Sequence, residues 1–104
     1  MAEFSAGLVS EFALGSMKAF HWGGQHVLVF RHPDGAFSAL EDRCSHAEVG
    51  LSGGTFQDGC VECPAHGARF DAVTGKQLCM PAVTPVRTFV VKEAGGQVLV
   101  VIPS

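Results

Sequence analysis

No apolar run in this sequence is long enough to cross a bilayer. The longest strongly apolar stretch, Val98 to Ile102, has 5 residues, against the roughly 20 that a spanning helix needs, so no membrane association is expected. Clusters of Lys and Arg are also missing. The 104 residues carry 7 basic and 10 acidic side chains, a formal net charge of −3. That is the wrong sign for a phosphate backbone and argues against nucleic acid as a main partner, although a mildly acidic surface suits docking to a basic patch on another protein. The first residues, Met1-Ala2-Glu3-Phe4-Ser5, lack the basic region and apolar stretch of a secretory signal, and a cytoplasmic location is expected. Repeats, low-complexity segments and linkers are absent, and the length fits a single domain over residues 1–104. Charged residues are few, at 16%, while hydrophobic ones reach 47%, enough for a packed core and too many for a disordered chain.

Sustained helical periodicity is the other absence. Only Leu8 to Leu14 could make a short helical turn, with Ser10 as its cap. The remaining pattern is all-β: 13 Gly and 5 Pro punctuate short β-branched and aromatic runs. Met17 to Trp22 and Gln25 to Arg31 flank Gly23-Gly24, a two-residue hairpin signal. Pro33-Asp34-Gly35 turns the chain into Ala36 to Leu40. Thr55 to Gln57 and Cys60 to Glu62 flank Asp58-Gly59, a second tight hairpin. Val86 to Lys92 and Gln97 to Ile102 flank Glu93 to Gly96, a longer connection. Val27-Leu28-Val29-Phe30 is apolar on both faces, as a strand inside a sandwich or barrel would be. Phe20 and Trp22 are expected in the core.

Four cysteines without a secretory signal point to metal or redox chemistry rather than a disulfide scaffold. Two segments concentrate that chemistry: Cys44-Ser45-His46, and Cys63-Pro64-Ala65-His66, with 16 residues between His46 and Cys63. Each follows a strand-like stretch, so each reads as a loop at one end of a sheet. In extended backbone, side chains at i and i+2 share a side, so Cys44 and His46 can reach one centre. Cys63 and His66 can do so across a tight turn that Pro64 restricts. Two such loops can hold a two-iron centre with both thiolates on one iron and both imidazoles on the other. A zinc site is the competing use of Cys₂His₂, but its usual spacing groups Cys with Cys and His with His. Cys60 and Cys63 form a Cys-x-x-Cys, yet a thioredoxin-like site wants a helix after the first Cys, and a strand follows Asp58-Gly59. A four-thiolate site from Cys44, Cys60, Cys63 and Cys79 would leave His46 and His66 without a purpose. Cys60 is therefore read as a small buried strand residue, and Cys79 as packing beside Pro81. His21, His26 and His32 lie on strands or at a turn and receive no role.

The paired motif resembles the Rieske family. Gly59-Cys60-Val61-Glu62-Cys63-Pro64-Ala65-His66-Gly67-Ala68-Arg69-Phe70-Asp71, closing with Thr74-Gly75-Lys76, is similar to the second cluster loop of the small Rieske ferredoxins that serve bacterial aromatic-ring dioxygenases. Glu41-Asp42-Arg43-Cys44-Ser45-His46 is similar to the first. The likeness is strongest over Ala36 to Lys76 and runs more weakly through Pro81-Ala82 to Ile102. It implies an antiparallel β-sandwich with two cluster-binding loops at one end. It also implies one [2Fe–2S] cluster on Cys44, His46, Cys63 and His66, with Met80-Pro81-Ala82 as a third loop shielding it. Two ferric ions, two sulfides and two thiolates cancel to a neutral centre, whereas four thiolates leave a dianion, so His ligation raises the potential to about −150 to +300 mV.

The departures from other Rieske proteins are informative. Those of cytochrome bc complexes carry a disulfide between the loops; Val49 and Ala65 occupy the corresponding positions. Those proteins also place hydroxyl donors where this chain has Ala68 and Phe70, and the loss of donors to sulfur predicts a potential in the lower part of the range. Backbone amides around Ala47, Ala65 and Gly67 are expected to donate to the sulfurs instead, with Gly67 allowing close approach. Glu41, Asp42 and Glu48 beside the first loop are either docking charges or a solvated face. A length of 104 residues leaves no room for the mononuclear-iron domain of an oxygenase. The resemblance therefore implies a non-enzymatic carrier of single electrons from a flavin-dependent NAD(P)H ferredoxin reductase to a terminal ring-hydroxylating oxygenase. The alternative is a small Rieske subunit of an assimilatory nitrite reductase.

Overall fold

The computed structural model describes residues 2–44, 49–65, 67–80 and 84–103. Among them the strands are β1 (Ala2–Leu8), β2 (Ser16–Trp22), β3 (Gln25–Arg31), β4 (Phe37–Glu41), β5 (Thr55–Gln57), β6 (Cys60–Glu62), β7 (Arg69–Asp71), β8 (Thr88–Ala94) and β9 (Gln97–Ile102). All pair antiparallel. Six form one sheet in the order β1-β9-β8-β4-β3-β2, and three form a smaller sheet, β5-β6-β7. This is the all-β sandwich the sequence predicts.

β3 explains how the layers stack. Val27, Leu28, Val29 and Phe30 are all fully buried, because successive strand side chains leave on opposite faces and both faces of β3 are covered. Val27 and Val29 pack with Phe12, Ala39, Phe89, Val98 and Val100, where the large sheet folds back over itself. Leu28 and Phe30 point the other way, into a core shared with Leu51, Val61, Phe70, Cys44 and Cys63. Phe56 of β5 packs its edge on Phe30, with ring centroids 4.8 Å apart, and so seats the small sheet on the large one.

The tight hairpins follow from residues that tolerate positive φ. Gly23 and Gly24 sit at +55° and +79°, and Asp58 and Gly59 at +54° and +75°, as two-residue turns between twisted strands require. The third hairpin is tighter than the sequence indicates. Ala94 pairs with Gln97, and Gly95 and Gly96 alone make the turn at +58° and +76°, so Glu93 belongs to the strand.

Three other local expectations change. β1 was not legible as a strand; it pairs with β9, with a register break between Ser5 and Gly7. The helical turn is a 3-10 turn over Val9–Glu11, capped by the Glu11 carboxylate accepting from the Leu8 amide at 2.8 Å rather than by Ser10. Trp22 is 39% exposed and lies over the seam between the two edge strands, stacked on Phe4 of β1 at 5.8 Å, while Phe20 is half-buried against the core.

Candidate metal centre

Two loops, one leaving each sheet, bury a cysteine each. The first begins as β4 ends. The Asp42 amide donates to the His26 carbonyl at 2.9 Å, and the Cys44 amide donates to Val49 at 2.9 Å, closing the loop on itself. Asp42 Oδ1 accepts from the Ser52 amide at 2.8 Å, tying the start of the loop to the 3-10 turn Leu51–Gly53. Asp42 is therefore part of the loop's scaffold rather than merely a solvated charge. Leu51, fully buried, plugs the core beneath.

The second loop begins as β6 ends. The Cys63 amide donates to Ala68 at 2.7 Å, and the Gly67 amide donates back to Cys63 at 3.2 Å. That bond corrects one expectation: the Gly67 N–H is already engaged by a carbonyl. The φ of +75° at Gly67 is what excludes side chains there, since a Cβ would meet no described residue within 4 Å. A close approach does occur at Gly54, where a Cβ would lie 1.7 Å from the Glu62 carbonyl oxygen, so only glycine lets the chain entering β5 pass β6.

Beyond β7, Asp71 organises the turn that closes the second motif. Its Oδ1 accepts from the amides of Val73 at 2.8 Å and Thr74 at 2.9 Å. These bonds, Thr74's foremost, hold the Asp71 carboxyl below its ordinary value of 3.8. Gly75, with φ +74°, presses against Val86, whose amide donates to the Gly75 carbonyl at 2.8 Å.

Cys44 and Cys63 are each 1% exposed and share one apolar core with Val61, Ala68 and Phe70. Two thiols at the mouths of adjacent loops, shielded from water, match the thiolate half of the expected donor set, since a buried thiolate needs a compensating metal charge. His46 and His66, with Ala47, Glu48, Pro81 and Ala82, lie outside the described residues. No disulfide joins any of the four cysteines, in keeping with Val49 and Ala65 at the positions of the family's disulfide.

The other two cysteines do not join this centre. Among the described residues no three His, Cys, Asp or Glu side chains converge on a metal-sized site, which disposes of the four-cysteine arrangement. Cys60 is only half-buried, not the core residue expected. Val61 takes the inward position of β6, which leaves Cys60 and Glu62 facing out over a cavity of about 160 Å³. There the Glu62 carboxylate accepts from Arg69 Nε at 3.1 Å and raises the Arg69 pKa. Cys79 is exposed, and its thiol reaches the Gly67 carbonyl at 3.7 Å, on the rim of the second loop.

Sequence reasoning missed one supporting group. His32 and Ser38 are buried together, and through Ser38 they reach the backbone that follows β7. The available signal was a serine at a core-facing position of β4, in line with Leu40.

Residues 3–90 match the family model described as the Rieske [2Fe-2S] domain. The chain is 46% identical over 90 residues to the ferredoxin component of biphenyl 2,3-dioxygenase of Rhodococcus jostii (strain RHA1), covering 86% of this chain and 83% of that protein. The solved ferredoxin of carbazole 1,9a-dioxygenase from Nocardioides aromaticivorans IC177 superposes with a TM-score of 0.89 at 34% identity, covering 96% and 97% of the two chains. A ferredoxin solved in a complex of reduced oxygenase and oxidized ferredoxin of carbazole 1,9a-dioxygenase gives 0.89 at 29% identity, covering 94% and 91%. Among the described residues no helix is long and apolar enough to cross a membrane.

Proposed function

We propose that this chain, which belongs to the Rieske [2Fe–2S] domain family, is a ferredoxin that delivers single electrons to the terminal oxygenase of an aromatic-ring-hydroxylating system. A Rieske-type [2Fe–2S] cluster comes with the family and supplies reversible one-electron chemistry when bound. Cys44 and Cys63 would hold one iron, and His46 and His66 the other. The carrying observation is the pair of water-shielded thiols, 1% exposed each, at the mouths of two loops that backbone bonds pinch shut.

The chain's residues divide the work. Asp42, Leu51 and Gly54 fix the first loop and the start of the small sheet. Ala68 and Phe70, both fully buried, keep the cysteine side dry and bring no hydroxyl to the sulfurs. A flavin-dependent NAD(P)H ferredoxin reductase is the electron source, the cytoplasm is the place of action, and residues 1–104 act as one domain. The names of the relatives favour this reading over a nitrite reductase subunit.

The test has two arms. Cluster-loaded protein should be reduced by NAD(P)H only when a flavoprotein ferredoxin reductase is added, and reoxidised by a ring-hydroxylating oxygenase. Dithionite-reduced protein should give the electron paramagnetic resonance signature of mixed His/Cys ligation, and His46→Ala or His66→Ala should abolish it. An unchanged spectrum in either variant refutes the ligand set; a normal spectrum without oxygenase turnover refutes the role alone.

A further inference from the structure

A second pair of imidazoles lies at the tip of the β2–β3 hairpin. Trp22 faces Gln25 across the Gly23-Gly24 turn, and His21 faces His26 one position further out. In a two-residue hairpin the pair flanking the turn exchanges backbone hydrogen bonds, so the next pair is of the non-bonded type, whose side chains stand closest. The two rings are parallel within 4°, with centroids 4.5 Å apart; stacked in this way they aim their in-plane nitrogen lone pairs side by side, so a shared ion requires both rings to turn out of the stack. Both residues are exposed, and among the described residues neither ring has a hydrogen-bond or ion-pair partner. His32, by contrast, is committed to Ser38 at 2.7 Å.

The surroundings favour a cation. His26, but not His21, lines a cleft of about 480 Å³ whose other lining includes Glu41, Asp42 and Arg43. Among the described lining residues two carboxylates outnumber one guanidinium, and the Asp42 carboxylate is held by the Ser52 amide. Two neutral imidazoles on directly opposed strand positions are a donor set for borderline divalent ions such as zinc, nickel and copper, whereas calcium and magnesium want oxygen.

We propose that His21 and His26 together form a surface site for one divalent transition-metal ion, with water completing its coordination. An ion there clips the edge strand β2 to β3. It also adds positive charge beside the first loop, because the His26 carbonyl carries the Asp42 amide two residues before Cys44.

The experiment is a nickel(II) titration, followed by calorimetry, of untagged, cluster-loaded protein, in which His46 and His66 are occupied. A Cys60→Ser/Cys79→Ser variant removes the half-buried and the exposed thiol as competing donors. One ion per chain should bind both proteins equally, and His21→Ala or His26→Ala should each weaken binding by about tenfold or more, with the cluster's visible spectrum unchanged. Binding that survives both histidine variants, binding that disappears with the thiols, or no binding at all overturns the site.

Discussion

The Ser38 hydroxyl stands 2.7 Å from His32 Nε2 and donates over 2.6 Å to the Ala72 carbonyl. Because that proton goes to Ala72, the serine oxygen accepts from His32, whose proton is therefore on Nε2. This buried relay joins the β3–β4 turn to the backbone just beyond β7, and Phe56 packs its edge on the same imidazole at 5.3 Å. The small sheet that carries the second loop is thus fastened to the large sheet by polar as well as apolar contacts.

Ser38→Ala should lower stability by about 1–3 kcal/mol, since it strands a buried N–H and a buried carbonyl. Urea unfolding of the cluster-loaded protein measures this. A cycle with His32→Ala should show coupling of about 0.5–3 kcal/mol, the mark of residues sharing one network. Additive losses would mean that the two residues act separately.

Two glycines separate space from strain. Gly54→Ala places a methyl 1.7 Å from the Glu62 carbonyl oxygen, and strand β6 must move to admit it. A loss above about 3 kcal/mol, or failure to take up the cluster, is expected. Gly59→Ala meets nothing within 4 Å but keeps a φ of +75°, so it should cost only about 1–2 kcal/mol. Comparing the two unfolding midpoints and cluster contents checks the order.

The parts of the fold written in short-range chemistry could be read from the sequence. Gly23-Gly24 and Asp58-Gly59 announce their hairpins because their φ values admit few residues, and the four-residue apolar run of β3 announces a strand covered on both sides. β1 was harder. Only Ala6 in it is buried, and its partner β9 lies at the far end of the chain, so its pairing is a tertiary fact. β7, three residues long, exists because β6 offers it a ladder. Trp22 failed as a core residue because size says nothing about position: it covers the seam between the edge strands from outside. At the site, Cys44 and Cys63 were legible from spacing and resemblance. The engagement of the Gly67 amide and the scaffold role of Asp42 depend on how the loops close, which no motif records.

Acid sensitivity should include a contribution from Asp71. Its folded pKa lies below the ordinary 3.8 because the Thr74 and Val73 amides favour the charged carboxylate. The stabilisation is therefore complete above the unfolded value and disappears as pH falls through the folded one. Asp71→Asn should bleach its cluster faster than the parent at neutral pH. The gap should begin to narrow as pH drops below about 4, the unfolded value, and close only once pH has fallen through the lower folded value, where the parent carboxylate is also neutralised. Bleaching rates across that range, followed by visible absorbance, decide it. A gap that stays constant with pH would assign the loss to geometry rather than charge.

The redox potential should respond to a hydroxyl beside Cys63. Ala68 is fully buried, and its carbonyl accepts the Cys63 amide at 2.7 Å, so a small donor at this position reaches the thiolate side of the centre with little added volume. Reduction adds negative charge, and a hydrogen bond to sulfur stabilises the reduced state more than the oxidised one. If the new bond favours the reduced state by about 1 kcal/mol, Ala68→Ser should raise the midpoint by roughly 40 mV for a one-electron couple. Phe70→Tyr tests the same idea less cleanly, because Phe70 is fully packed and the added oxygen must find room. Redox titration of Ala68→Ser alongside Ala68→Cys, a weaker donor, should rank serine above cysteine above alanine. Equal potentials in all three would show that the side chain at position 68 does not face the sulfurs.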